Sequence, residues 1–192
     1  MAVSKEYGKA AAGRVQAWIL LLQDSRQLPV KEKLERVNNF FNRLPNVSDM
    51  RQWHVNDYWA TPFELLIVNG GDCEDFVIAK YFSLRELKIS ERQMRITYVK
   101  SFRPDHSIVS HMVLSYYPCP QCEPLVLDNL TNSILPASKR KDLVPVFSFQ
   151  AYDLINSREK RDNSTVSGTT RSIPRWDDLL RRIAAQEKNL NK

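Results

Sequence analysis

The chain has 192 residues, 43% of them hydrophobic and 26% charged, which suits one globular domain with a sizeable core and excludes disorder throughout. Its longest apolar runs, "AWILLL" and "FELLIV", fall far short of a membrane span, so direct insertion into a bilayer is not expected. The net charge of +6 comes without a nucleic-acid pattern: "SKRKD" (138–142) and "REKR" (158–161) are short clusters without interleaved aromatics. They read as solvated basic surface able to steer an acidic protein partner.

The opening "MAVSKEYGKA" lacks the basic start and apolar core of a secretory signal, so either the chain is cytosolic or its signal is not part of this sequence. "AGRVQAWILLLQ" and "VKEKLERVNNFFNRL" carry apolar residues at helical spacing, with Val30, Leu34, Val37 and Phe41 on one face of the second. Pro45 to Ala60 breaks that pattern and reads as a loop long enough to be functional, in which Trp53, Tyr58 and Trp59 either shape a cleft or simply pack. "TPFE" then starts a helix, with Thr61 as cap, Pro62 first and Glu64 third, and "NGG" (69–71) stops it. A new helix begins at Asp72 or Cys73 and runs to about Leu87, burying Phe76, Val77, Lys80, Tyr81 and Leu84.

Beyond that helix the period changes. "MRITYVKSF", "SIVSHMVLSYY", "PLVLDNL" and "VPVFSFQAY" are rich in β-branched and aromatic residues and predict an antiparallel sheet. "NSREKRDNSTVSGTTRS" (156–172) reads as a mobile polar loop, and "PRWDDLLRRIAAQ" as a closing amphipathic helix. The whole is read as a single domain over 1–192: a helical part to about 88, a sheet part from about 93 to 152, and a C-terminal loop and helix from about 153.

Cys73 is placed at a helix N-terminus, where exposed N–H groups stabilise a thiolate and can bind an oxyanion. Its neighbours Asp72, Glu74 and Asp75 oppose that ionisation, so a reactive Cys73 needs a compensating cation. A buried, inert cysteine is the bland alternative. Of three histidines, His54 lies in the Trp-rich loop, His106 in the turn "RPDHS", and His111 inside a strand. Counted from a hairpin turn near Cys119 and Pro120, His111 falls opposite Asp128 of "VLDNL". A histidine paired with an acid across strands, beside a cysteine on a helix tip, makes a Cys-His-Asp constellation.

"DYWATPFE", "GGDCEDFVIAKYFSLRELKI", "HMVLSYY" and "EPLVLDNL" together resemble the bacterial transglutaminase-like cysteine proteases, and closely those that release biofilm adhesins in the periplasm. The resemblance implies a papain/transglutaminase-like α+β fold with Cys73 as nucleophile, His111 as base and Asp128 as orienting acid. It also implies calcium binding through Asp72 and Glu74, with Asp75 as an addition, and such an ion offsets the crowded negative charge around the thiol. Its implied substrate is the N-terminal region of a large adhesin, cut at an Ala-Ala site. The implied regulator is a cyclic-di-GMP-responsive inner-membrane receptor of the LapD type, and the implied location is the periplasm. Without the resemblance, "DCED" reads equally as helix-capping acids. "PCPQC" places Cys119 and Cys122 at a hairpin tip, too few ligands for zinc and oddly placed for a redox centre, with a disulfide left open. Two other functions share this scaffold: a non-catalytic peptide-binding module, and an acyltransferase using the same three residues.

Overall fold

In the computed structural model, which describes residues 2–151 and 173–190, helices α1 (Ala2–Ser25) and α2 (Val30–Phe41) come first. Gly8, at φ 84° and ψ 167°, divides α1 into two helical segments. Leu34, Val37 and Phe41 of α2 are buried as expected, whereas Val30 stays exposed at 41% because the packed face begins one turn later. The expected loop after Pro45 contains a short helix, α3 (Asp49–Trp53). α4 (Pro62–Val68) and α5 (Cys73–Glu86) follow. α5 buries every side chain assigned to its packed face: Phe76, Val77, Lys80, Tyr81 and Leu84.

The strands β1 (Met94–Phe102), β2 (Ile108–Tyr116), β3 (Leu125–Asp128), β4 (Thr131–Pro136) and β5 (Leu143–Phe149) form one sheet in the order β4-β3-β2-β1-β5, with antiparallel pairings. "TNSILP" is an edge strand that its polar composition hid. β5 stops at Phe149 rather than continuing toward Tyr152, and Tyr152 lies outside the described residues, as does the polar stretch 156–172.

Pro136 and Leu143, at opposite sheet edges and near opposite strand ends, are joined by seven backbone steps. A flat sheet would separate them by roughly 30 Å, more than the ~25 Å such a chain can span. The sheet therefore coils, and residues 137–142 cross its inner face. There Val99, Val113, Val126 and Leu143 form a small second core, beside a cavity of about 370 Å³. The main core lies on the other face, where Ile96, Met112, Leu114 and Leu127 meet α5. α6 (Pro174–Leu190) closes it by burying Trp176 and Leu179 completely.

Candidate active site

The turn between α4 and α5 sets the site. Thr61 and Glu64 form the capping box at the start of α4, as their spacing predicts. Asn69, at φ 59°, ends that helix in the left-handed region, and Gly70, at φ 148°, turns the chain against Pro45. A Cβ on Gly70 would lie 2.8 Å from the Pro45 carbonyl oxygen, and one on Gly71 would lie 2.2 Å from Asp75 Oδ2. Only glycines let the backbone pass this closely. Asp72 then takes the N-cap position and Cys73 opens α5.

Asp75 is fully buried and structural: its Oδ2 accepts from the Asp72 N–H (3.1 Å) and its Oδ1 from the Ala60 N–H (2.7 Å). It ties the 45–60 loop to the helix tip. That loop also delivers a residue the sequence reading missed. Asp49, buried on α3, accepts the Tyr58 N–H on Oδ2 (2.5 Å), leaving Oδ1 unpartnered, and Asp72 Oδ1 is buried and unpartnered as well. One oxygen from each of Asp49, Asp72 and Asp75 lies within 4.8 Å of the others, and Asp72, Cys73 and Glu74 make a second such group. Burial, then repulsion from Asp72, raises Asp49 to about 6; burial, then Glu74, raises Asp72 to about 7. Burial likewise drives Asp75 well above its usual range. Crowded carboxylates with bare, buried oxygens fit a hard divalent cation. No sequence pattern announces Asp49, because only folding brings α3 against the turn.

Cys73 is half-buried, and its thiol donates to Glu74 Oε2 (3.1 Å) rather than to His111. Burial first, then the Glu74 and Asp72 carboxylates, push the thiol strongly up, against a lowering contribution from the Met112 backbone N–H. Met112 lies on β2 past the last β2–β3 pair, Leu114 with Leu127, so α5 starts where β3 stops. His111 is its strand neighbour, 6% exposed, and its Nε2 lies 2.8 Å from Asp128 Oδ1. Continued one step past its last pair, Leu114 with Leu127, the register sets Asp128 opposite Val113 rather than His111, two residues along from the expected pairing. A two-residue shift keeps the same face, so the contact survives across the diagonal. Burial pushes the Asp128 carboxyl up, but the hydrogen bond and charge of His111, the Leu130 N–H and Arg140 hold it far below the usual range. Asp128 is thus the acceptor, so His111 Nε2 is the donor in this contact and Nδ1 is the ring nitrogen left outside it.

Two further residues steady Asp128. Asn42, the C-cap of α2, donates to its backbone carbonyl (2.8 Å). Arg140 donates through Nη2 to Asp128 Oδ2 (2.7 Å). Arg140 is 7% exposed, so the reading of "SKRKD" as solvated surface fails at this position: the crossing segment turns Arg140 inward between the exposed Lys139 and Lys141. His54 and His106 are exposed, with positive φ in separate turns, and take no part. Trp59 packs in the core against Trp176, while Trp53 packs on Tyr58. Cys119 and Cys122 form a disulfide at the β2–β3 connection.

A family model for bacterial transglutaminase-like cysteine proteinases matches residues 22–142. The chain belongs to that family. As a transglutaminase-like cysteine proteinase it is a cysteine protease with the family's α+β fold. Among solved structures it is similar to calcium-bound Legionella pneumophila LapG, with 38% identity over 95% of this chain and 96% of that one and a TM-score of 0.75. EGTA-treated Legionella pneumophila LapG is as similar, with 38% identity over 94% of each chain and a TM-score of 0.75. No curated protein matches the chain. Among the described residues no helix is long and apolar enough to cross a membrane.

Proposed function

We propose that this proteinase is a calcium-dependent periplasmic endopeptidase that cuts the N-terminal region of a large surface adhesin at an Ala-Ala site. The observation that carries the reading is the pairing of the His111–Asp128 contact (2.8 Å) with Cys73 at the tip of α5, on a chain similar to a calcium-bound LapG. Cys73 Sγ attacks the scissile carbonyl while His111 Nδ1 takes the thiol proton and passes it to the leaving amine. Asp128 holds the tautomer and supports the imidazolium. The Cys73 N–H, at the helix tip, would receive the oxyanion, and water then resolves the thioester.

Asp72 and Glu74 would hold calcium, and Asp49 and Asp75, whose oxygens cluster with that of Asp72, would support the ion from the buried side. Bound calcium supplies positive charge that offsets the carboxylates around the thiol. Glu74, which accepts the Cys73 thiol here (3.1 Å), would be drawn from that contact on holding the ion. A receptor of the LapD type would sequester the enzyme by covering the Gly70–Cys73 turn.

The test is incubation with a peptide spanning an adhesin's Ala-Ala site, in calcium or in excess chelator, followed by mass analysis. Cleavage in calcium, its loss in chelator and its loss in Cys73→Ala are expected. Asp128→Asn should retain slower cleavage, since it loses charge but keeps an acceptor. Full activity in chelator would remove calcium from the mechanism, and cleavage by Cys73→Ala would remove the nucleophile.

A further inference from the structure

We infer that Arg140 is a positioning residue for the reaction, acting through Asp128; the inference rests on the Cys73-His111-Asp128 reading. Asp128 has two carboxylate oxygens with separate duties. Oδ1 receives His111 Nε2 at 2.8 Å and the Leu130 N–H at 3.0 Å. Oδ2 receives Arg140 Nη2 at 2.7 Å. Three donors from three directions fix the plane of the carboxylate, and the plane sets the direction in which the imidazole points its free nitrogen. Without Arg140, Oδ2 is a buried anionic oxygen with no partner, and the carboxyl can rotate or take up a proton.

Arg140 is itself held. Its Nε and Nη2 donate to the Asp142 Oδ1 and Oδ2 at 2.9 and 2.7 Å, a forked grip that lysine cannot reproduce. The guanidinium reaches Asp128 because residues 137–142 must cross the inner face of the coiled sheet. The backbone there is pinned at both ends: Ala137 N–H donates to the Pro124 carbonyl (2.9 Å) and Phe102 N–H to the Asp142 carbonyl (2.8 Å). The segment that closes the coil therefore also aims Asp128, the orienting carboxylate. Asp142, half-exposed at 45%, anchors the cation from the solvent side.

The experiment compares Arg140→Met, Arg140→Lys, Asp128→Asn and the double variant Arg140→Met with Asp128→Asn, all as the full chain in calcium. Readouts are kcat and KM on an Ala-Ala peptide and the nitrogen-15 shifts of the His111 ring, which report its tautomer without any substrate. Arg140→Met should lower kcat about tenfold to a hundredfold, the cost of a misaimed catalytic group, with KM within about twofold. Its His111 ring should change from one tautomer to a mixture. Arg140→Lys, which keeps the charge, should recover part of the loss. The double variant, which leaves no unpaired carboxylate at position 128 and so guards against misfolding, should match Asp128→Asn within about twofold. Wild-type kcat and a single tautomer in Arg140→Met would overturn the inference. So would a double variant about tenfold slower than Asp128→Asn, because Arg140 would then act by another route. If no peptide is cut by the wild type, the protease reading is what fails, and the ring spectra still decide the role of Arg140.

Discussion

Lys80 shows how far one residue can depart from its usual setting. It lies on α5, two turns beyond Cys73, is fully buried, and its Nζ has no hydrogen-bond partner. Burial lowers its pKa to about 7, with the Asp128 charge pulling the other way. An unfolded chain holds this proton up to about pH 10.5, so the folded state bears the full penalty below about pH 7 and sheds it as pH rises between the two. Lys80→Met, similar in length and apolar, should therefore be the more stable protein at pH 7, by on the order of 1–4 kcal/mol. The gap should shrink steadily toward about pH 10. Urea unfolding of both proteins across that range is the measurement; a gap independent of pH would mean that Lys80 is charged in the folded protein.

The junction of α4 and α5 is the element on which the site depends. A Cβ at Gly71 would collide with Asp75, which caps α5 and holds Ala60. Gly71→Ala should push Asp75 aside, lower the melting temperature and weaken calcium binding, although no proposed ligand or catalytic residue has changed. Calcium titration followed by calorimetry checks it, and wild-type affinity would show that the turn yields freely.

Elements such as this turn were the most legible in the sequence. The Thr61–Glu64 capping box, the stop at Asn69–Gly71 and the buried face of α5 all follow from local spacing, and local spacing is what a sequence displays. Helix and strand periods put Cys73 at a helix tip and His111 and Asp128 on neighbouring strands, and the family resemblance adds the roles proposed for them. The structure brings His111 to Asp128, two residues off the expected register, and leaves the thiol bonded to Glu74. Asp49 and Arg140 were not legible. Each reaches the site through a nonlocal approach, α3 against the helix tip and the crossing segment over the sheet, and "SKRKD" has the composition of a surface. β4 was hidden for a related reason: an edge strand exposing polar residues on both sides lacks the alternation that marks a half-buried one.

At the scale of the molecule, α6 completes the core. Trp176 has no exposed surface and packs among Trp59, Tyr81, Phe82 and Phe149. Arg182 fastens the same helix to Glu64 (2.5 Å) and to the Trp59 carbonyl (2.6 Å). Trp176→Ala should cost about 3–5 kcal/mol, read as a lower urea midpoint with an unchanged slope. Retention of the wild-type midpoint would mean that the helix docks without contributing to the main core.

The docking of α6 also orders events in time. A chain that is synthesised, or threaded through a narrow channel, from its N-terminus presents Cys73, His111 and Asp128 well before residue 176 arrives. Until then the aromatic socket of Trp59, Tyr81, Phe82 and Phe149 stays open, and α5, which carries Cys73, lacks one of its supports. Proteolytic competence should therefore emerge in one late step, so that a partly delivered chain is a poor peptidase.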